Sequence, residues 1–177
     1  ACVDWFERDA KGRTEKIDSV KRPIGVIGYG EGGMVALYSA ALDGRIDSCA
    51  VGGYFGSRER IWEQPIDRNV FGLLEQFGDA EIASMIAPRA EIVEVARGPQ
   101  MTVGGEGGAP GELWSPEVDA IRKEFRRAQT LAGDFAAGMQ IVTRADGSGN
   151  YGSDEALTAL LASLSSQAKL SPPPEKP

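Results

Sequence analysis

Ile24-Gly25-Val26-Ile27-Gly28-Tyr29-Gly30-Glu31-Gly32-Gly33-Met34-Val35-Ala36-Leu37 is the stretch on which the fold turns. Its first four residues follow Pro23 and form a short apolar run bounded by glycine, the pattern of a strand buried in a parallel sheet. Gly28 to Gly33 form a tight glycine-rich turn, and Met34 to Leu42 read as a buried helix closed by Asp43-Gly44. Strand, turn and helix follow one another without a gap.

Outward from this unit, the same alternation repeats. Strands are predicted at Ser48–Tyr54, Ala90–Val95 and Met139–Thr143, with short helical pieces at Val70–Phe77 and Glu81–Ile86. Pro116–Leu131 is predicted as an amphipathic helix with Val118, Ile121, Phe125 and Leu131 inward and Arg122, Lys123, Arg126 and Arg127 outward. Ser153–Leu164 is predicted as a helix capped by Ser153, with Asp154 and Glu155 in its first turn. Residues Ala1 to Ala10 place Val3, Phe6 and Ala10 near one helical face. Gly98–Pro116 and Arg144–Gly152 are rich in Gly and read as loops, and Ser171–Pro177 is a Pro-rich tail. The alternation predicts an α/β class: a parallel sheet with helices on both faces.

Composition narrows the functional classes. With 42% hydrophobic and 25% charged residues over 177 positions, the chain has the make-up of an ordinary globular domain. Nineteen basic against 26 acidic residues give a net charge of −7 without a basic cluster, which argues against nucleic acid and anionic membrane surfaces as partners. No apolar run approaches the roughly 20 residues of a membrane-inserted helix. Cys2 and Cys49 lack metal-ligand spacing and read as two unremarkable thiols, with one disulfide as the alternative. The Gly104–Glu112 loop is acidic without cation-site spacing, so no metal is expected. The chain contains no histidine, which removes the commonest general base and the commonest metal ligand together. The opening residues carry no basic-then-apolar leader, and the sequence names no compartment.

Two chemistries share the Gly28–Gly33 turn. Gly28, Gly30 and Gly33 satisfy G-x-G-x-x-G between strand and helix, the dinucleotide fingerprint, in which glycines let a pyrophosphate approach the helix N-terminus. That fingerprint wants an acid at the far end of the next strand. Asp47 has the right count but precedes the strand, whose far end is Gly52-Gly53-Tyr54. The same residues match the nucleophile elbow G-x-S-x-G with one change, Gly30 in place of serine.

Beyond the elbow, Ile24–Leu42 with Arg45-Ile46-Asp47, the strand through Gly53-Tyr54, and Ile86-Ala87-Pro88-Arg89 leading into a strand resemble the dienelactone hydrolase and acetyl xylan esterase-like branch of the α/β-hydrolases. The resemblance covers roughly residues 1–165 and implies the C-terminal half of that fold, with the first strands absent and residues 166–177 forming the tail. It places the nucleophile position at Gly30, the acid near Glu94, and the histidine position at Ser148 in Ala145–Asn150. The elbow and residual oxyanion group is then Gly28, Tyr29, Glu31 and Gly32.

The chemistry follows from those residue types. Gly30 has no oxygen to acylate, and without an imidazole no group is poised to deprotonate serine or water near neutrality. No cofactor is expected. In the family the third strand lies beside the fifth, so the resemblance leaves Ile24–Gly28 as a bare apolar edge. A partner is therefore expected there: the N-terminal part of the same gene product or another subunit. Tyr54, Phe55, Arg58 and Trp62 form a candidate contact patch near the site mouth. The leading expectation is a non-catalytic, pseudo-esterase domain that binds or assembles with another segment. One alternative is part of a carboxyl-ester hydrolase whose working residues lie outside this chain; the other is a dinucleotide-binding α/β protein using Gly28, Gly30 and Gly33.

Overall fold

A computed structural model describes residues 2–13, 22–105, 110–143, 147 and 149–165. The order is α1 (Cys2–Arg13), β1 (Gly25–Tyr29), α2 (Glu31–Leu42), β2 (Ser48–Gly52), α3 (Asp79–Ser84), β3 (Ala90–Val95), β4 (Met101–Val103), β5 (Gly111–Leu113), α4 (Val118–Ala132), β6 (Met139–Thr143) and α5 (Asp154–Leu164). Three single 3-10 turns, Ile61–Glu63, Ile66–Arg68 and Leu73–Glu75, mark the excursion between β2 and α3, and another at Gly133–Gly138 leads into β6.

The main sheet has the order β1-β2-β3-β6 and every pairing is parallel, with Gly28 beside Val51, Val51 beside Val93, and Val93 beside Ile141. β2 is buried along its whole length. One face carries Cys49, Val51, Val93 and Val95 into a core with Ala36, Leu37, Ile86, Ile121 and Phe125 from the helical layer. On the other face Ala50 and Ile92 pack against Ala156 and Leu160 of α5. Helices thus cover both faces, the arrangement a parallel sheet requires to bury its two apolar sides. β1 is an edge: among the described residues no strand pairs with its outer side, and Ile27 remains 43% exposed.

Two polar devices lock the layers. Arg89 donates one guanidinium nitrogen to the carbonyls of Ala40, Asp43 and Ile46, at 2.7, 3.2 and 2.8 Å. It thereby supplies a cation to the end of α2, whose last turn has no basic residue of its own. Arg58 grips Asp79 bidentately at 2.9 and 2.7 Å, while Asp79 also accepts from the Gly56 amide at 3.0 Å. This pair is buried, and removing either partner would strand the other charge away from water.

Several sequence expectations are corrected. Gly98–Pro116 is not wholly a loop: β4 and β5 pair antiparallel, Met101 against Leu113. α2 begins at Glu31 rather than Met34, because Gly32 and Gly33 already belong to its first turn. Leu131 points outward at 51% exposure, and the buried stripe of α4 is completed by Ala128, Ala132 and Glu124. Glu124 tolerates that position because its carboxylate accepts from the Ala80 amide at 3.0 Å and from Arg127 at 2.8 Å. The piece predicted at Val70–Phe77 is only the single 3-10 turn Leu73–Glu75. Both cysteines are free thiols, Cys2 exposed and Cys49 buried. No described helix is long and apolar enough to cross a membrane, and no described cluster of acidic, Cys or His side chains could hold a metal. The tail 166–177 lies outside the described residues.

Glu91 breaks the apolar pattern of β3. Its side chain lies on the helix-covered core face, in register between Cys49 and Met139, with no exposed surface and, among the described residues, no hydrogen-bond partner for either oxygen. Burial, helped by the charge of Asp79, pushes its carboxyl from an ordinary 4.5 up to about 8. Between those two values the folded chain keeps a proton that the unfolded chain has released. Stability must therefore fall as pH rises from about 4.5 to about 8 and level off above. The whole cost amounts to roughly 5 kcal/mol at most. Glu91→Gln is expected to flatten this slope, measured by urea unfolding across that pH range; a variant that keeps the wild-type slope would contradict the assignment to Glu91.

Candidate functional site

The site is built where β1 runs into α2. Gly30 lies between them with φ 55° and ψ −120°, a backbone that side-chain-bearing residues rarely adopt and that glycine holds cheaply. Its amide donates to the Gly52 carbonyl at the end of β2, 3.0 Å away, and its carbonyl receives the Met34 amide, so the turn is tied to both neighbours. This is the sharp strand-to-helix geometry that presents a nucleophile at the top of a sheet.

Close approach explains most of the glycines. A Cβ on Gly28 would stand 1.9 Å from the Gly32 carbonyl oxygen, an impossible contact. On the helix side the constraint falls on Gly33, whose Cβ would meet the carbonyl oxygens of Gly52 and Gly28 at 3.1 and 3.2 Å, whereas a Cβ on Gly32 would meet nothing within 4 Å. At Gly30 itself a Cβ would press on Pro99, 3.1 Å from its Cγ. Pro99 thus sits over the position from which a nucleophilic side chain would project.

The surroundings close the mouth further. The Tyr29 hydroxyl donates to the Arg97 carbonyl at 2.9 Å, and the Tyr29 ring packs on Tyr151 with centroids 5.2 Å apart. Gly53, at φ 65°, faces Gly98 so tightly that a Cβ on either would collide with the other's backbone. Ser115 holds Gly98 in place, accepting its amide at 2.8 Å and donating to its carbonyl at 3.2 Å. The segment leaving β3 is therefore folded down onto the elbow.

The other singled-out residues are scattered by the fold. Glu31 opens α2, where the helix dipole favours an acid, and its carboxylate pairs with Arg68. Glu94 lies inside β3 with its carboxylate receiving the amides of Gly152 and Ser153 at 2.8 and 2.9 Å. It anchors the start of α5, whose Ser153 cap accepts the Ala156 amide at 3.3 Å. Ser148 lies outside the described residues. Asp47 accepts the Ile24 amide at 2.9 Å at the opposite end of the sheet from the Gly28–Gly33 turn, away from where a ribose would sit.

The patch proposed from Tyr54, Phe55, Arg58 and Trp62 does not exist as a surface. Tyr54, Phe55 and Arg58 are buried, Arg58 by its hold on Asp79 and by stacking 3.7 Å over the Tyr54 ring; only Trp62, 70% exposed, faces solvent. Arg68, which sequence reasoning passed over, is buried beside them with its guanidinium 5.6 Å from the same ring. A basic residue in a run with Ile66 and Asp67 gives no local sign that the fold will enclose it.

No protein-family model matches the chain. Among solved structures, the methylesterase BT1017 superposes with a TM-score of 0.53 at 20% identity, over 89% of this chain and 33% of its own. The fold is α/β-hydrolase-like. A second structure, the 2,6-dihydroxy-pseudo-oxynicotine hydrolase, superposes with a TM-score of 0.48 at 20% identity, over 94% of this chain and 48% of its own. In sequence, "Putative hydrolase YtaP" of Bacillus subtilis (strain 168) is 34% identical over 127 residues, 68% of this chain and 38% of that protein. The α/β-hydrolase-like chain therefore spans little more than a third of that relative's length.

The elbow should fail abruptly when its spacing is violated. Gly28→Ala is expected to cost at least about 4 kcal/mol, because the contact is with backbone that cannot move aside, while Gly32→Ala changes stability by less than about 1 kcal/mol. Guanidinium unfolding of both variants checks this; equal effects would contradict the crossing geometry.

Proposed function

We propose that this chain is a non-catalytic α/β-hydrolase-like domain, a pseudo-esterase of dienelactone hydrolase or acetyl xylan esterase-like character, that serves in binding or assembly. The observation that carries the reading is Gly30: the turn keeps its strained shape, the residue has no side chain, and Pro99 occupies the space in front of it. The absence of histidine from the whole chain points the same way, since a hydroxyl restored at this position would find no imidazole to take its proton. Purified chain is expected to turn over p-nitrophenyl acetate no faster than buffer, and so is Gly30→Ser. Turnover by the wild-type chain that Gly30→Val abolishes would overturn the reading.

The assembly role rests on β1. Among the described residues no strand pairs with its outer side, and Ile27 and Tyr29 are half-exposed along it. Another polypeptide segment, from the same gene product or a second subunit, pairs with this edge and removes its adhesive backbone from solvent. Without that segment, the purified chain is expected to self-associate with rising concentration in sedimentation velocity, and Ile27→Lys to hold it monomeric. A wild-type chain that stays monomeric throughout would argue against an edge that needs covering.

A second reading is favoured by the comparisons. The relatives are hydrolases by name and much longer than this chain, so this half would be the scaffold of a carboxyl-ester hydrolase whose working residues lie elsewhere. It predicts ester turnover by a longer polypeptide containing this chain, insensitive to Gly30→Val.

A further inference from the structure

The excursion between β2 and α3 turns large apolar side chains outward. Trp62, Ile66, Val70, Phe71, Leu74 and Phe77 are all exposed, Phe71 fully so. Phe71 stands at the corner of a turn closed by the Leu73 amide on the Val70 carbonyl at 3.0 Å, with Gly72 at φ 75°. Val70, Leu74 and Phe77 border one crevice whose room, about 20 Å³, admits little more than a water, so what they offer is a surface and not a cavity. That surface sits on a fixed frame: Arg68, which lines the same crevice, pairs with Glu31 of α2, and Arg58 grips Asp79 at the start of α3. Large apolar side chains gathered on the outside of a braced segment mark an interaction site.

Leu74 also borders a second, open cleft of about 350 Å³. Its walls carry Glu59, Glu75, Glu81 and Glu124, against Arg58, already engaged by Asp79, and Arg127, which Glu81 and Glu124 share. Glu59 and Glu75 are exposed and form no ion pair among the described residues. We propose that the apolar surface and the acidic cleft beside it form one docking surface for a basic amphipathic helix of a partner polypeptide. Its apolar face lies on Phe71, Leu74 and Phe77, and a Lys or Arg side chain reaches into the cleft, which has room for one. Charge complementarity selects this occupant: the carboxylates attract a cation and repel the phosphates of a nucleic acid or an anionic bilayer. The surface adds a partner chemistry to the binding role proposed above, and it uses neither the elbow nor the β1 edge.

The test is a titration of the purified chain into a fluorescently labelled synthetic helix of Leu and Lys, spaced so that Leu forms one face, followed by anisotropy. Two control peptides carry Glu for every Lys or Ser for every Leu. Saturable binding of the Leu-Lys helix is expected, with both controls weaker by roughly tenfold or more. Phe71→Ser should weaken binding by roughly tenfold and Glu75→Lys by about fivefold, and because both side chains are exposed the fold survives either change. Glu155→Lys moves the same charge change to the exposed face of α5 and should leave the affinity within about twofold. Lack of saturation, equal binding of the Leu-Glu helix, indifference to Phe71→Ser, or a loss with Glu155→Lys as large as with Glu75→Lys would each overturn the proposal. So would sedimentation showing that Phe71→Ser abolishes self-association, since the surface would then join copies of this chain. Repeating the titration in the Ile27→Lys chain keeps the β1 edge out of the measurement, so failure here leaves the reading of that edge and of Gly30 intact.

Discussion

At the Gly28–Gly33 turn three backbones meet with no side chain between them, and the layout of the sheet follows from that meeting. Gly28 passes under the Gly32 carbonyl, Gly33 packs against the carbonyls of Gly28 and Gly52, and the Gly30 amide is fixed to the end of β2. Because β1, α2 and β2 are joined at this one point, α2 lies flat on the sheet and buries Ala36, Leu37 and Ala40 in the main core. The turn is expensive in chain entropy, since glycine loses more freedom on folding than any other residue. Its glycines serve close packing, since a Cβ on Gly28 or Gly33 would press on neighbouring backbone.

The segments around the elbow are arranged as a lid rather than a cleft. Pro99 covers Gly30, Tyr29 is hydrogen-bonded to Arg97, and Gly98 packs on Gly53 with Ser115 bracing it from outside. Both oxygens of Glu94 are taken by amides at the start of α5. On the flank of the sheet Arg58 pairs with Asp79 and Arg68 with Glu31, and both guanidinium groups lie near the Tyr54 ring.

The sequence made the sheet legible because its strands are apolar and sharply punctuated: Ala90–Val95 and Met139–Thr143 begin and end where glycine, proline or charge says they should. It misplaced the start of α2 because Gly32 and Gly33 look like turn residues, and only the close contact at Gly33 shows why a helix would use them. β4 and β5 were hidden by their brevity, three residues each within a glycine-rich stretch. Leu131 was assigned inward by type alone, although the fold turns Ala128 and Ala132 inward instead. At the site, Gly30 and the missing histidine could be read directly. The Arg58–Asp79 and Arg68–Glu31 pairs could not, because they join residues 21 and 37 positions apart and no local pattern marks them. Nor could Glu91, whose carboxylate in a strand reads as an outward position until the helices are seen to cover it.

What unites these features is a strand-to-helix elbow with Gly30 at its centre, and the proposal built on it is that no nucleophile works there. Covalent capture reads that claim most directly. Purified chain treated with an excess of a fluorophosphonate, which phosphonylates activated serine nucleophiles, should show an unchanged intact mass, with no modified peptide covering residues 22–42. A stoichiometric adduct on any residue of this chain would contradict the account, for it would mean that a nucleophile and its activating base survive here in a form that Gly30 does not reveal.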